Sequence, residues 1–413
     1  MLTFSHTCIG HSHMKSGKPC QDASYAGTIG DLHLAIVSDG HGGERYTRSD
    51  IGAQLAVASA RDLLCEVLAR SMYIPGTFDF RRSTLTQLPL VLENRNLFSD
   101  NCYTLPPDVY MAISFIKSAI IGRWCTAVRK HAEEHPLSAE EEGYATVHDG
   151  CFSMKAVERL YGCTLMLALV CEDFWMVMQI GDGRCVVFRS LYDEPMFEPV
   201  PLDDKCFLNK TTSLCDSAAE SELHYCIGGR STIPYAILLG TDGIEDSWGT
   251  NEKLYNFYID LLKKGDISTA EQLTQELQSA LPVLSRLGSH DDMSIAGIVN
   301  TEVLHQQVPT LLAYQIEQRR AQLEQLEQQR SELMQKIQLL QEYFDSIDIE
   351  RLMRDLQNMQ SDLQQRTQEQ ARVQEKLNQL LSESIRVPSA PARRPSDDHL
   401  KEHYQSSTPE SPF

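Results

Sequence analysis

The chain has 413 residues, a formal net charge of −20 and 42% hydrophobic residues. Its length allows one large domain with an accessory segment. So acidic a chain is a poor match for nucleic acid, whose phosphate backbone rewards Lys and Arg, and no nucleic-acid partner is expected. The opening MLTFSHTCIG lacks a basic start leading into an apolar core, and no run reaches about 18 consecutive apolar residues. The 12 cysteines contain no CxxC pair. No signal peptide, membrane association or zinc site is therefore expected, and a cytoplasmic protein with reduced thiols is the natural reading.

In chain order, short runs rich in Val, Ile and Leu and bounded by Gly or Asp predict strands at 32–38, 164–171, 174–180, 184–189, 236–240 and 293–299. Amphipathic spacing predicts two long helices, at about 44–69 and 111–132. Between them, 73–107 is rich in Pro, Asn and Asp and reads as a surface insertion. Many strands with few helices between them point to an α+β sandwich, not a doubly wound sheet. This domain is expected to occupy residues 1–300.

Composition changes after Thr301. From Leu312 to Leu380 the chain has neither Gly nor Pro, and apolar residues recur in steps of four and three, as in Leu312, Ile316, Leu323, Leu326, Leu333, Ile337 and Leu340. That 3.5-residue period predicts a helical coiled coil over 301–385. A break at 345–348, where Ser346 or Asp348 could cap a new helix, favours an antiparallel hairpin over a straight dimeric coil. A homodimer through this segment stays open as the rival. The Pro- and Ser-rich tail, 386–413, is expected to be disordered.

The residues that carry chemistry recur as one device. Val37-Ser38-Asp39-Gly40-His41-Gly42-Gly43 brings an apolar strand to a carboxylate, then to glycines that permit a sharp turn. Gly240-Thr241-Asp242-Gly243 repeats it, and Gly181-Asp182-Gly183-Arg184 places another Asp at a hairpin tip, where Asp-Gly is also an ordinary turn. Ser289-His290-Asp291-Asp292 puts two more carboxylates before the last strand. Carboxylates gathered at strand ends repel one another unless cations sit between them. An all-oxygen donor set selects hard cations, Mn²⁺ or Mg²⁺. Two such ions suit phosphoryl transfer to water, and His41, next to Asp39 and Gly40, is placed to protonate a leaving alkoxide.

The ordered set DGHGG, GDGR, TDGIED and DDMS resembles the metal-dependent type 2C (PPM) serine/threonine protein phosphatases, over about residues 3 to 299. Cys20-Gln21-Asp22-Ala23 and Asn209-Lys210-Thr211 look like a bacterial branch of that family. The resemblance implies two packed antiparallel β-sheets flanked by helices, with two and up to three Mn²⁺ or Mg²⁺ ions in a cleft at one end. It implies Asp39 as the carboxylate bridging two metals, with Gly40 as a carbonyl ligand. Asp242 and Asp291 become further ligands, Asp182 a ligand to a third ion, with Asp246 nearby, and Asp22 a carboxylate holding metal waters. It implies His41 as general acid, a phosphoprotein as substrate and a cognate serine/threonine kinase as a candidate partner. Gln21 stands where many members have Glu. The family's phosphate-binding Arg has no positional match, leaving Lys15, Lys18 and His13 as substitutes. These departures leave a second reading, a non-catalytic scaffold acting through its coiled coil.

Overall fold

A computed structural model describes residues 1–69, 85–92, 105–146, 153–190, 195–200, 211–342 and 349–386. The strands are β1 (Leu2–Cys8), β2 (Asp22–Ile29), β3 (Leu32–Asp39), β4 (Val91–Leu92), β5 (Leu165–Val170), β6 (Phe174–Ile180), β7 (Arg184–Phe188), β8 (Met196–Phe197), β9 (His224–Gly229), β10 (Ala236–Gly240) and β11 (Met293–Val299). The helices are α1 (His11–Ser16), α2 (Ser49–Leu64), α3 (Pro107–Glu134), α4 (Ala139–Ala145), α5 (Met154–Leu160), α6 (Ala219–Glu222), α7 (Asp242–Trp248), α8 (Asn251–Gly265), α9 (Ala270–Leu287), α10 (Thr301–Glu342) and α11 (Ile349–Arg386). They fall into two compact units, one ending at Gln315 and one starting at Ile316.

In the first unit the strands form two antiparallel sheets, ordered β1-β11-β10-β7-β8 and β2-β3-β5-β6-β9-β4. The alternation of strand side chains explains the layers. From β3, Ala35 and Val37 point into the space between the sheets and meet Ala168, Val177, Ile237, Leu239 and Ile298. Leu34 and Ile36 point the other way, into a core with Ala53, Ala56, Ala60, Ile116 and Ile120 from α2 and α3. On the far side, Phe4, Leu238 and Ile295 pack against Leu254, Tyr258, Leu273, Leu277 and Leu281 of α8 and α9. Strands covered on both faces read as continuous apolar runs, which is why β5 and β6 are buried at every position.

Helix α3 is the one described helix long and apolar enough to cross a membrane, with a mean hydropathy of 1.3 over its most apolar window. Its apolar positions Val109, Ile113, Ile116, Ile120 and Trp124 are buried in the core, and Trp124 Nε1 donates to the Gly52 carbonyl at 3.0 Å. This is the packing of a core helix. Within the stretch read as a surface insertion, 73–84 and 93–104 lie outside the described residues. The part between them is not superficial: Leu85 and Leu88 are buried, and β4 extends the six-stranded sheet by pairing with β9. The tail from 387 onward and the break at 345–348 also lie outside the described residues.

The first turns of α10 belong to the first unit, where Leu304 and Leu311 are buried and Gln315 Nε2 donates to Asn256 Oδ1 at 3.0 Å. In the second unit α10 and α11 run antiparallel. Arg330 donates to Gln370 at 3.0 Å, Gln370 donates to Glu327 at 3.0 Å, and Arg366 bonds Gln329. Leu326, Val373, Leu377 and Leu380 are buried along these helices.

Candidate metal and active site

In an antiparallel sandwich, alternate strand ends lie at the same edge. Asp39 ends β3, Asp22 opens β2 directly across from it, Asp182 tips the β6–β7 hairpin, Asp242 follows β10 and Asp291 precedes β11. Asp39, Asp182, Asp242 and Asp291 converge on a cleft of about 830 Å³. Seven carboxylates line it, those of Asp39, Asp182, Asp242, Glu245, Asp246, Asp291 and Asp292, with two imidazoles, His13 and His41. Among the described residues no Lys or Arg lines it.

Local chemistry fixes these positions. The Asp39 backbone is clamped to Thr164, whose amide donates to the Asp39 carbonyl at 2.8 Å and whose Oγ1 accepts from the Asp39 amide at 3.0 Å. A side chain at Gly40 would sit 2.5 Å from the Ser49 carbonyl oxygen and 2.7 Å from that of Gln21, so only glycine allows the start of α2 and the residue before β2 to close on this turn. Gly181, at φ 107°, holds the backbone conformation that lets the hairpin present Asp182. Arg184, two residues on, is buried and ion-pairs with Glu198 and with Glu245 on α7, tying β7 to the helix that carries Asp242.

Asp39, Asp182 and Asp242 offer carboxylate oxygens that all lie within 4.8 Å of one another. Burial, with repulsion from neighbouring carboxylates, raises the pKa of each. Asp39 is raised well above the usual aspartate range, first by burial and then by Asp242 and Asp22. Asp242 is pushed up to about 7, chiefly by burial, with Asp182 and Asp291 adding to it, and Asp182 is raised by burial. Asp39 and Asp242 stand close enough to interact directly, and the charge of Asp242 is among the causes that raise Asp39. Carboxylates crowded this way are relieved by a divalent cation, and oxygen donors fit Mn²⁺ or Mg²⁺.

The other expected residues sit differently. Asp291 lines the cleft but is exposed and outside the tight trio; its Oδ1 accepts from the Asp292 amide at 2.8 Å. Asp22 does not line the cleft: it is buried, accepts from Thr241 Oγ1 at 2.8 Å, and its pKa is raised well up, first by burial. Gln21 lines the cleft, with its amide nitrogen donating to Ser49 Oγ at 2.6 Å and to the His41 carbonyl at 3.3 Å. His41 meets Tyr46 edge-on at 4.8 Å between ring centroids, and its amide donates to the Gly162 carbonyl at 3.1 Å. Burial draws its pKa down to about 4, so the ring is neutral in the free chain at pH 7.

Asp292 also lines the cleft, a residue that the sequence reading gave no role. It is buried and accepts from the amides of Gly10 and Gln21 and from His13 Nδ1 at 2.9 Å. Its signal was the second Asp of the pair at a strand entry, where a buried carboxylate needs several donors.

A family model described as protein phosphatase 2C matches residues 9–281. The chain belongs to this family. It is thus a type 2C serine/threonine phosphatase by family, and such phosphatases use Mn²⁺ or Mg²⁺. Solved structures similar to it include the catalytic domain of the serine/threonine protein phosphatase PstP in complex with two manganese ions. That structure is 16% identical, covers 72% of this chain and 98% of its own, and has a TM-score of 0.41. The serine/threonine phosphatase Stp1 from Staphylococcus aureus is 16% identical, with 73% of this chain and 95% of that one covered and a TM-score of 0.41. Comparison with curated proteins finds no match.

Proposed function

We propose that this type 2C phosphatase hydrolyses phosphoserine or phosphothreonine on a phosphoprotein in the acidic cleft. Asp39, Asp182 and Asp242 would hold the metal ions, with the Gly40 carbonyl and Asp291 completing the donor set and Asp22 acting from behind through Thr241. When bound, the cations supply Lewis acidity toward the phosphoryl oxygens and an activated water. The observation that carries the reading is the meeting of three distant carboxylates within 4.8 Å, crowded enough that Asp242 is pushed up to about 7.

His41 is the proposed proton donor to the leaving alkoxide. Its neutral ring would gain a proton once a phosphoryl dianion lies beside it, because a neighbouring negative charge favours the charged imidazole. Gln21 offers a neutral amide oxygen where a carboxylate would bind a cation more tightly, so one ion is held weakly. The antiparallel bonding of α10 and α11 supports reading the C-terminal unit as an intramolecular helical hairpin.

The test is release of phosphate from a phosphoserine peptide by the full chain with added Mn²⁺. Activity that requires Mn²⁺ and is lost in Asp39→Asn, with the fold retained by circular dichroism, is the expected outcome. A well-folded wild-type chain inert at millimolar Mn²⁺ would make it a non-catalytic relative.

A further inference from the structure

A phosphate monoester brings about two negative charges to this cleft, yet the described lining contains seven carboxylates and no Lys or Arg. Cations offset some of that charge, but the phosphoryl oxygens also need a protein donor to orient them. Two imidazoles are the only basic side chains in the described lining. His41 is assigned to the leaving group, which leaves His13.

We infer that His13 binds a non-bridging oxygen of the substrate phosphate through Nε2, with its ring held by Asp292. This rests on the phosphatase reading above. Nδ1 of His13 lies 2.9 Å from Asp292 Oδ2, and the two side chains are 12% and 3% exposed. No described residue bonds Nε2, and the ring lines the cleft. Asp292 is itself immobilised by the Gly10 and Gln21 amides. The short helix α1 is pinned from the other side, where Ser12 donates to the His290 carbonyl through its amide at 2.9 Å and its hydroxyl at 2.8 Å.

A side chain at Gly10 would fall 2.4 Å from the Asp291 carbonyl carbon, so α1 is pressed against the Asp291–Asp292 turn. The imidazole is thereby set in one orientation before substrate arrives, as an oxyanion donor must be. With phosphate bound, the ring donates from both nitrogens, to Asp292 on one side and to the phosphate on the other. Lys15 and Lys18 are exposed and do not line the cleft. His11 instead packs against His290, with ring centroids 5.8 Å apart.

The experiment titrates inorganic phosphate into the Mn²⁺-loaded full chain by calorimetry, alongside KM for a phosphoserine peptide. His13→Asn keeps a donor at the Nδ1 position toward Asp292 and removes the group facing the cleft. The phosphate Kd and the KM should both rise about tenfold or more, the loss of a charge-assisted hydrogen bond. Mn²⁺ affinity should stay within about twofold and the unfolding midpoint should hold, since the Asp292 bond survives. His13→Gln, which restores a donor at the Nε2 end, should recover part of the phosphate affinity. An unchanged phosphate Kd in His13→Asn, or a loss traced wholly to weaker Mn²⁺ binding, overturns the inference. A wild-type chain that binds phosphate through His13 but never turns over would sink the hydrolase reading alone.

Discussion

Replacing Asp242 by Asn should make the metal-free protein more stable at pH 8 while ending its affinity for Mn²⁺. In the folded chain Asp242 is pushed from about 3.8 to about 7, mainly because it is buried beside other carboxylates. The folded state therefore holds this proton more tightly than the unfolded chain. Its effect on stability is absent below 3.8, grows more unfavourable as pH rises toward 7, and is level above that. At about 1.4 kcal/mol per tenfold change in proton affinity, the charged form costs at most about 4 kcal/mol at pH 8. Asp39 stays raised by its own burial after the change, so the gain from Asp242→Asn is expected nearer about 2 kcal/mol.

The gain should shrink by more than half at pH 5, where the wild-type side chain is still protonated. Urea unfolding of both proteins in EDTA at pH 5 and pH 8 measures this. Added Mn²⁺ should stabilise the wild type and leave the variant unmoved, because only a state that binds the ion is stabilised by it. A variant no more stable than wild type at pH 8, or a difference independent of pH, would refute the claim that these carboxylates are forced together.

His41→Ala should lower kcat for a phosphoserine peptide about a hundredfold or more, while turnover of p-nitrophenyl phosphate, whose leaving group needs no proton, falls far less. Equal losses on both substrates would remove the proton-donor role. Gln21→Glu should tighten the weaker Mn²⁺ site about tenfold, read by calorimetry, because a carboxylate replaces a neutral oxygen. It should also cost about 1 kcal/mol of metal-free stability, since the amide's bonds to Ser49 and the His41 carbonyl lose their donor.

The strands that form unbroken apolar runs were legible in the sequence; the polar, glycine-ended or very short ones were not. β3, β5, β6, β7, β10 and β11 lie inside the sandwich, so their residues read as apolar runs whichever face they point to. β1, with Thr, Ser and His, and β2, with Ser, Gly and Thr, are only partly covered. β9 ends in two glycines, and β4 and β8 span two residues each. Pairing partners far along the chain decide such strands, and no local pattern announces them.

Helix α9 carries a local signal of its own in the sequence. Thr269 and Gln272 form a capping box ahead of Leu273, Leu277 and Leu281 at helical spacing. At the site, the Asp-Gly turns located Asp39, Asp182 and Asp242, because a carboxylate at a strand end followed by glycine is a local device. Sequence alone did not reveal that Asp182 would stand with Asp39 and Asp242 while Asp291 stayed exposed at the rim. That depends on hairpin and turn geometry. Asp292 was equally hidden, since its three donors come from residues 10, 13 and 21 at the far end of the chain.

Anomalous diffraction from crystals soaked in Mn²⁺ addresses the metal centre most directly. Manganese peaks should appear within about 2.3 Å of carboxylate oxygens of Asp39 and Asp242, and they should vanish in Asp39→Asn. A saturated crystal with no peak between these side chains would mean that their crowding serves something other than metal-assisted hydrolysis.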